Sequence, residues 1–332
     1  MMRVKTRLRS LVRGLAATAG LVLASSAAGD PQTVRVTPLG SHDGEFCVLD
    51  RALVFEDPNG TRILYDAGRT VAGADDPRLG DIDIVLVSHM HGDHVGDRRI
   101  ARTGEGSCGA PEFPVTTLPQ SNTIDIAVAK EATIVTGSEM PAFFAAKLEK
   151  AGGDGSRSQL VRFGAELEVG GVAITTVPAV HSNGVAPSFL EGPLAEYLKA
   201  AGVGASVGPP TGYVLTFSNG LVVYLSGDTG ITAEQRLVVG DHYGPGLVVM
   251  NIGDTYTTGP QEAAYVINDL VRPQSVIASH ANEPATEGGR VRQGTRTETF
   301  MSAVAVPVHV PLSGRTMAFD RQGQCLQGCG MP

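Results

Sequence analysis

The feature that most limits this chain is the run Ser88-His89-Met90-His91-Gly92-Asp93-His94, which sets four potential metal ligands within six residues. It follows Ile82-Asp83-Ile84-Val85-Leu86-Val87, an apolar stretch that reads as a buried strand. Buried His and Asp need partners, so the cluster cannot serve as core filling. At a strand end the chain turns, and alternate residues can address two neighbouring centres. His89 and His91, two apart, would face one ion; Asp93 and His94 would face another as the turn becomes a helix. Imidazole and carboxylate donors suit zinc, and also manganese or iron. A solvated His-rich loop is the blander reading, and it explains a lone histidine far better than this spacing.

Short runs rich in Val, Ile and Leu recur at residues 33–37, 46–55, 61–65, 82–88, 159–163, 172–177, 213–217 and 221–226, mostly bounded by Gly, Pro, Asn or Asp. Asn219-Gly220 and Asn59-Gly60 mark tight hairpins, because Asn-Gly accepts positive φ at the central turn positions. Helical patterns cover 139–152, 260–271 and, less regularly, 295–304. The helix at 260–271 is flanked by buried-strand patterns at 247–252 and 276–278, a strand–helix–strand second half after a hairpin-rich first half.

The His-x-His-x-Asp-His run after a hydrophobic strand resembles the metallo-β-lactamase superfamily. Four further elements match, each after an apolar run and in the expected order: Asp66 in Leu64-Tyr65-Asp66-Ala67-Gly68, His181 in Pro178-Ala179-Val180-His181, Asp228 in Ser226-Gly227-Asp228-Thr229, and His280 in Ile277-Ala278-Ser279-His280. Singly each is weak; a turn Asp or a core His is the commoner fate. Their joint order carries the resemblance, which spans roughly residues 33–320. It implies an α+β fold, an αββα sandwich of two mixed sheets flanked by helices, with the site at one edge between the sheets. It also implies that His89, His91 and His181 hold one divalent ion and Asp93, His94 and His280 a second, with Asp228 bridging. Zinc is the expected metal, manganese or iron the alternatives.

The chemistry implied is a hydroxide bridging the ions, with Asp93 catalytic as holder of the nucleophile or proton shuttle. Asp66 would fix a ligand by hydrogen bonding, and Tyr256 is a candidate substrate contact. Asp228, absent from the fold's β-lactamases, points to the branches with seven ligands. The segment 251–280 looks like the ascorbate-phosphate lactonase-like group, and the Gly-Asp-Thr-Gly turn like the N-acyl-phosphatidylethanolamine phospholipase D-like branch. The expected activity is hydrolysis of a lactone, ester or phosphoester of a small molecule. The alternative is an iron-dependent redox enzyme on the same fold, against which His91 stands where diiron reductases of the superfamily tend to carry Glu. Insertions around 103–123 and 187–210 depart from the family pattern and flank ligands in sequence, as pocket walls or lids would.

The first 28 residues read as a cleaved export signal: five cationic residues, an apolar run too short to span a bilayer, then small residues up to Ala28. Residues 29–332 would then form one hydrolase domain, periplasmic or extracellular, with no stable membrane insertion after cleavage. Losing five cationic residues and no anionic ones takes the net charge from −8 to −13. Such a surface repels nucleic acid and leaves a small molecule as the expected partner; oligomeric state is open. Four cysteines allow three connectivities. The pairs Cys47–Cys108 and Cys325–Cys329 are expected in an oxidising compartment, with free thiols as the alternative.

Overall fold

Residue alternation along the strands sets the architecture. In Leu53–Glu56, the side chains of Leu53 and Phe55 enter one buried cluster and Val54 another; in Arg62–Tyr65, Ile63 and Tyr65 part from Leu64 in the same way. Along Thr211–Thr216 and Val222–Leu225, Tyr213, Leu215, Val223 and Leu225 face that first cluster while Val214 and Tyr224 face a third. Successive strand residues point to opposite faces, so each sheet is apolar on both sides and must be covered on both. The shared cluster lies between the two sheets. The outer face of one sheet is covered by helices Asn122–Lys130 and Met140–Lys150 through Ile124, Phe144 and Leu148. The other is covered by Pro260–Tyr265, its continuation Val266–Val271, and Arg296–Ala303 through Ala263, Ile267 and Phe300. The result is the four-layer αββα arrangement expected, in a computed structural model that describes residues 32–330.

The first sheet runs, in spatial order, Ser158–Leu160, Thr133–Thr136, Ile84–Leu86, Arg62–Tyr65, Leu53–Glu56, Val34–Pro38, Met317–Phe319 and Cys325–Gln327. The second runs Glu166–Val169, Val172–Pro178, Thr211–Thr216, Val222–Leu225, Leu247–Asn251, Ser275–Ser279 and Val308–His309. Each is mixed: antiparallel hairpins make one half and parallel strands the other. Arg62–Tyr65 and Ile84–Leu86 are parallel, as are Val222–Leu225, Leu247–Asn251 and Ser275–Ser279. Asp66, His89, Asp228 and His280 all follow the carboxyl ends of these strands, where open α/β sheets gather their ligands.

One expected strand is mostly loop. Of residues 46–55 only 53–55 pair, as part of strand Leu53–Glu56. Upstream, the buried Asp50 carboxylate accepts the backbone N–H groups of Ser41 (2.9 Å) and Cys47 (2.8 Å), so a side chain replaces the ladder there. Burial pushes that carboxyl up to about 6. Leu49 turns the chain with φ of 65°. Sequence reading also missed strands Thr133–Thr136, Met317–Phe319 and Cys325–Gln327 and helices Asn122–Lys130 and Pro193–Ala201. The pattern at 260–271 is helical throughout, α-helical to Tyr265 and then π-helical to Val271.

Both expected cysteine pairs are joined, Cys47 to Cys108 and Cys325 to Cys329. Among the described residues no helix is long and apolar enough to cross a membrane. The export segment at 1–28 lies outside the described residues.

Candidate metal centre

Hydrogen bonds on the far ring nitrogens aim the histidines inward. Asp66, at the end of Arg62–Tyr65 with φ of 45°, accepts the Ser88 backbone N–H at 2.8 Å and the Ser88 hydroxyl at 2.7 Å. The same carboxylate stands 2.8 Å from His94 Nδ1, and Ser88 Oγ stands 2.9 Å from His89 Nδ1. Both rings therefore present Nε2 to the second sheet. There Asp228 Oδ2 lies 3.8 Å from His89 Nε2, 3.4 Å from His94 Nε2, 3.7 Å from His181 Nε2 and 2.9 Å from His280 Nε2. Gly227, at φ of 60°, permits this approach, since a Cβ there would fall 3.1 Å from the Ser88 side chain and from the Thr211 carbonyl.

Two triads share Asp228. His91 Nδ1 is 2.9 Å from His89 Nε2 and 3.3 Å from His181 Nε2. Asp93 Oδ2 is 3.7 Å from His94 Nε2 and 3.6 Å from His280 Nε2. Within each triad, His89/His91/His181 and Asp93/His94/His280, one ligand atom per residue lies within 4.8 Å of the others, and the same holds for His89/His94/Asp228. All seven side chains singled out from the sequence thus converge. They come from the segments after four different strands, Ile84–Leu86, Val172–Pro178, Val222–Leu225 and Ser275–Ser279, as the order of the motifs required.

The electrostatics fit a cation. Burial, with the neighbouring imidazoles, holds His89 well below its ordinary value and lowers His91 and His181, so these rings are neutral donors. Around His94 burial pushes the same way, yet Asp228, Asp93 and Asp66 outweigh it and raise the ring to about 10. Burial would raise Asp93 and Asp228, but the facing histidines, and Arg51 at Asp93, hold both well below the carboxylate range. Three carboxylates focused on one buried point favour positive charge there. His94 Nε2 is buried without a hydrogen-bond partner, although it faces Asp228. Neutral imidazoles at His89, His91 and His181, ionised carboxylates at Asp93 and Asp228, and at His94 a ring whose proton a cation between the same carboxylates would replace are the donor set that two divalent ions would require.

Several contributors went unrecognised in the sequence. Arg51 is 4% exposed and donates to Asp93 Oδ2 from Nε (3.2 Å) and Nη2 (3.0 Å), and from Nη2 to Asn282 Oδ1 at 2.6 Å. Asn183 accepts the Met90 N–H at 3.0 Å and so pins the histidine run to the loop after His181. Asn251 donates to the Thr229 carbonyl (3.1 Å) and to Thr258 Oγ1 (2.8 Å), holding the Asp228 turn. None of these carries a local motif; only the folded contacts reveal them. Tyr256 is 70% exposed, on a loop whose Thr258 N–H donates to the Thr229 carbonyl at 3.2 Å. The Thr258–Thr229 bond sets its loop beside the Asp228 turn.

The second insertion builds a wall. The chain after His181 forms the short pair Gly184–Val185 and Ala205–Ser206 around helix Pro193–Ala201, and these enclose a cavity of about 740 Å³ that reaches His91 and Ser182. The first insertion does not line that cavity; it forms small ladders and is fastened to the 46–50 loop through Cys47–Cys108.

With this geometry in hand, the comparisons with known proteins are consistent. The family described as "Beta-lactamase superfamily domain" matches residues 61–281. A UPF0173 metal-dependent hydrolase of Cupriavidus necator is 32% identical over 73% of this chain and 71% of its own length. One from Roseiflexus castenholzii is 31% identical over 67% of this chain and 76% of its own. Among solved structures, Igni18, a metallo hydrolase from the archaeon Ignicoccus hospitalis, superposes with a TM-score of 0.56 at 22% identity, covering 87% of this chain and 99% of its own, and so shares the fold. Matched over two thirds of its length by the family and by relatives above 30% identity, the chain belongs to the metallo-β-lactamase superfamily, among its metal-dependent hydrolases.

Proposed function

We propose that this protein is a dinuclear metallohydrolase that cleaves a lactone, ester or phosphoester bond of a small molecule. The observation that carries the reading is the single oxygen, Asp228 Oδ2, set within 3.8 Å of four inward ring nitrogens. A carboxylate shared between two ions would stand there. His89, His91 and His181 would hold one ion and Asp93, His94 and His280 the other. Bound there, a pair of divalent ions would lower the pKa of water towards neutrality and polarise the scissile carbonyl or phosphoryl.

The protein's own groups do the rest. Asp66 and Ser88 fix His94 and His89 by their Nδ1 atoms, so both rings arrive preorganised. Asp93 Oδ2, held by Arg51, would take a proton from the nucleophile and pass it to the leaving group. Tyr256, on the exposed loop beside the Asp228 turn, is the candidate substrate contact in this reading. The export signal at 1–28 and a periplasmic or extracellular site belong to the same proposal; the two disulfides support it, since such bonds persist in oxidising compartments. N-terminal sequencing of the mature protein should begin near Gly29.

Panels of lactone, carboxylester, phosphodiester and β-lactam substrates, assayed with zinc, manganese and iron after chelation, test the reading. Hydrolysis of one of the first three, lost on chelation and restored by one metal, is the expected result. Turnover untouched by thorough chelation would end the proposal, and metal-dependent oxygen consumption in place of hydrolysis would establish the iron redox alternative. In the same assay Asp66→Asn should lower metal affinity or kcat by about 10- to 100-fold, the range for partners of metal-bound histidines. Isothermal titration with zinc checks it; an unchanged affinity and rate would show that Ser88 alone orients the rings.

A further inference from the structure

The cavity beside His91 is lined in a way that defines what the reacting molecule carries. Its wall is Leu190, Ala195, Leu198 and Val203, with the backbone of Gly184, Gly202 and Gly204 between them. The polar groups are Ser182 and Ser188 and one charge of each sign, Glu196 and Lys199, both exposed on the helix Pro193–Ala201. The opposite charges offer no net pull on an ion. Ser182 Oγ stands 3.1 Å from His91 Nε2, so the cavity opens directly on the cluster. At about 740 Å³ it falls within the roughly 300–1,000 Å³ of sites that bury a small organic ligand.

Exposed apolar side chains occur on the wall segment and on the loops that carry His181 and Asp228. Leu194 and Tyr197, three apart on that helix and therefore on one face, are 58% and 72% exposed, and Val203 is 51% exposed. Val180, next to His181, is also exposed; its carbonyl accepts the Gly230 N–H at 3.0 Å, which brings exposed Ile231 alongside.

We infer that the substrate is an amphiphile whose neutral aliphatic chain lies in the cavity enclosed by residues 184–204 while its hydrolysable polar group sits at His91 and the rest of the cluster. The placement of the polar group rests on the metallohydrolase reading; the chain-binding cavity does not. A chain tethered to the reacting group is the occupant that suits a cavity whose wall is mainly aliphatic, whose two lining charges are of opposite sign, and which meets the histidines at Ser182.

The test is equilibrium binding of straight-chain carboxylic acids, acetate through decanoate, to metal-loaded and to chelator-treated protein. Affinity should rise about three- to fourfold per methylene in both forms, the equivalent of about 0.8 kcal/mol per buried CH₂. Leu198→Asp and Val203→Asp should each weaken decanoate about tenfold or more and acetate little, because a charge then faces the chain. Val203 is largely exposed, so its variant remains informative should Leu198→Asp fail to fold. Leu326→Asp, at an exposed position on the C-terminal strand, should match the parent.

Affinity independent of chain length, or decanoate binding unaltered in folded Leu198→Asp and Val203→Asp proteins, would overturn the inference. Were metal-dependent hydrolysis to persist in that case, the hydrolase reading would stand alone. Chain-length-dependent binding without hydrolysis under any metal would leave the cavity and remove the hydrolase.

Discussion

Asp228→Asn should abolish metal-dependent turnover, lowering kcat/KM by about a thousandfold or more, roughly 4 kcal/mol of lost transition-state stabilisation. The side chain keeps its shape and loses its charge, so the fold has little reason to change. What disappears is the one anionic oxygen that reaches the Nε2 atoms of His89, His94, His181 and His280 together. Both half-sites depend on it, and neither triad supplies a substitute on its own. Bound metal, measured by elemental analysis after dialysis, should fall from two ions per chain to one or none. His91→Ala makes the comparison sharper, because His91 belongs to one triad only and should release one ion while sparing the other. A variant with full turnover and two ions at Asp228 would dismantle the shared-carboxylate geometry from which the function is argued.

The two variants also show which parts of the site could be read from the chain. His89, His91, Asp93 and His94 lie within one turn after a strand, so their proximity is nearly covalent. His181, Asp228 and His280 come from distant loops, and spacing says nothing about their meeting. They could be placed because their order, each after an apolar run, resembles that of the metallo-β-lactamase superfamily; the folded sheet then delivers the carboxyl ends of those strands to one edge. The cysteine pairing was a preference among three connectivities, Cys325–Cys329 closing a short loop and Cys47–Cys108 tying down the Gly/Pro-rich segment around Cys108, and the structure joins both pairs.

What escaped has a common physical cause. The strand expected at 46–55 has the right apolar content, but the Asp50 carboxylate outcompetes the ladder for backbone donors, and a single Asp in a sequence does not announce which N–H groups it will accept. Strand Thr133–Thr136 is four residues between two helices, too brief for a period to register. Helix Pro193–Ala201 buries only Ala195 and turns Leu194 and Tyr197 outward, so its apolar pattern is not that of a core helix. Arg51 is the plainest case: a buried guanidinium whose partners are 42 and 231 residues away.

That arginine supports the second large effect. Arg51→Met should destabilise the metal-free protein by about 3–5 kcal/mol, the range for removing one partner of a buried ion pair. Asp93 would then keep its ionised carboxylate in the protein without the guanidinium that holds it. With both ions bound the penalty should shrink to about 1 kcal/mol, because the same Asp93 Oδ2 would face a cation in place of the lost one. Metal binding should therefore raise the melting temperature of Arg51→Met much more than that of the parent, and zinc affinity should rise, since Arg51 and the ion contend for one oxygen. Thermal unfolding with and without zinc, alongside titration calorimetry, measures both quantities. Arg51→Lys should resemble Met rather than the parent, because a single ammonium cannot span Asp93 and Asn282 as the planar fork does. Equal destabilisation in the metal-free and metal-loaded proteins would show instead that Arg51 acts through packing and its bond to Asn282, with no electrostatic coupling to the metal centre.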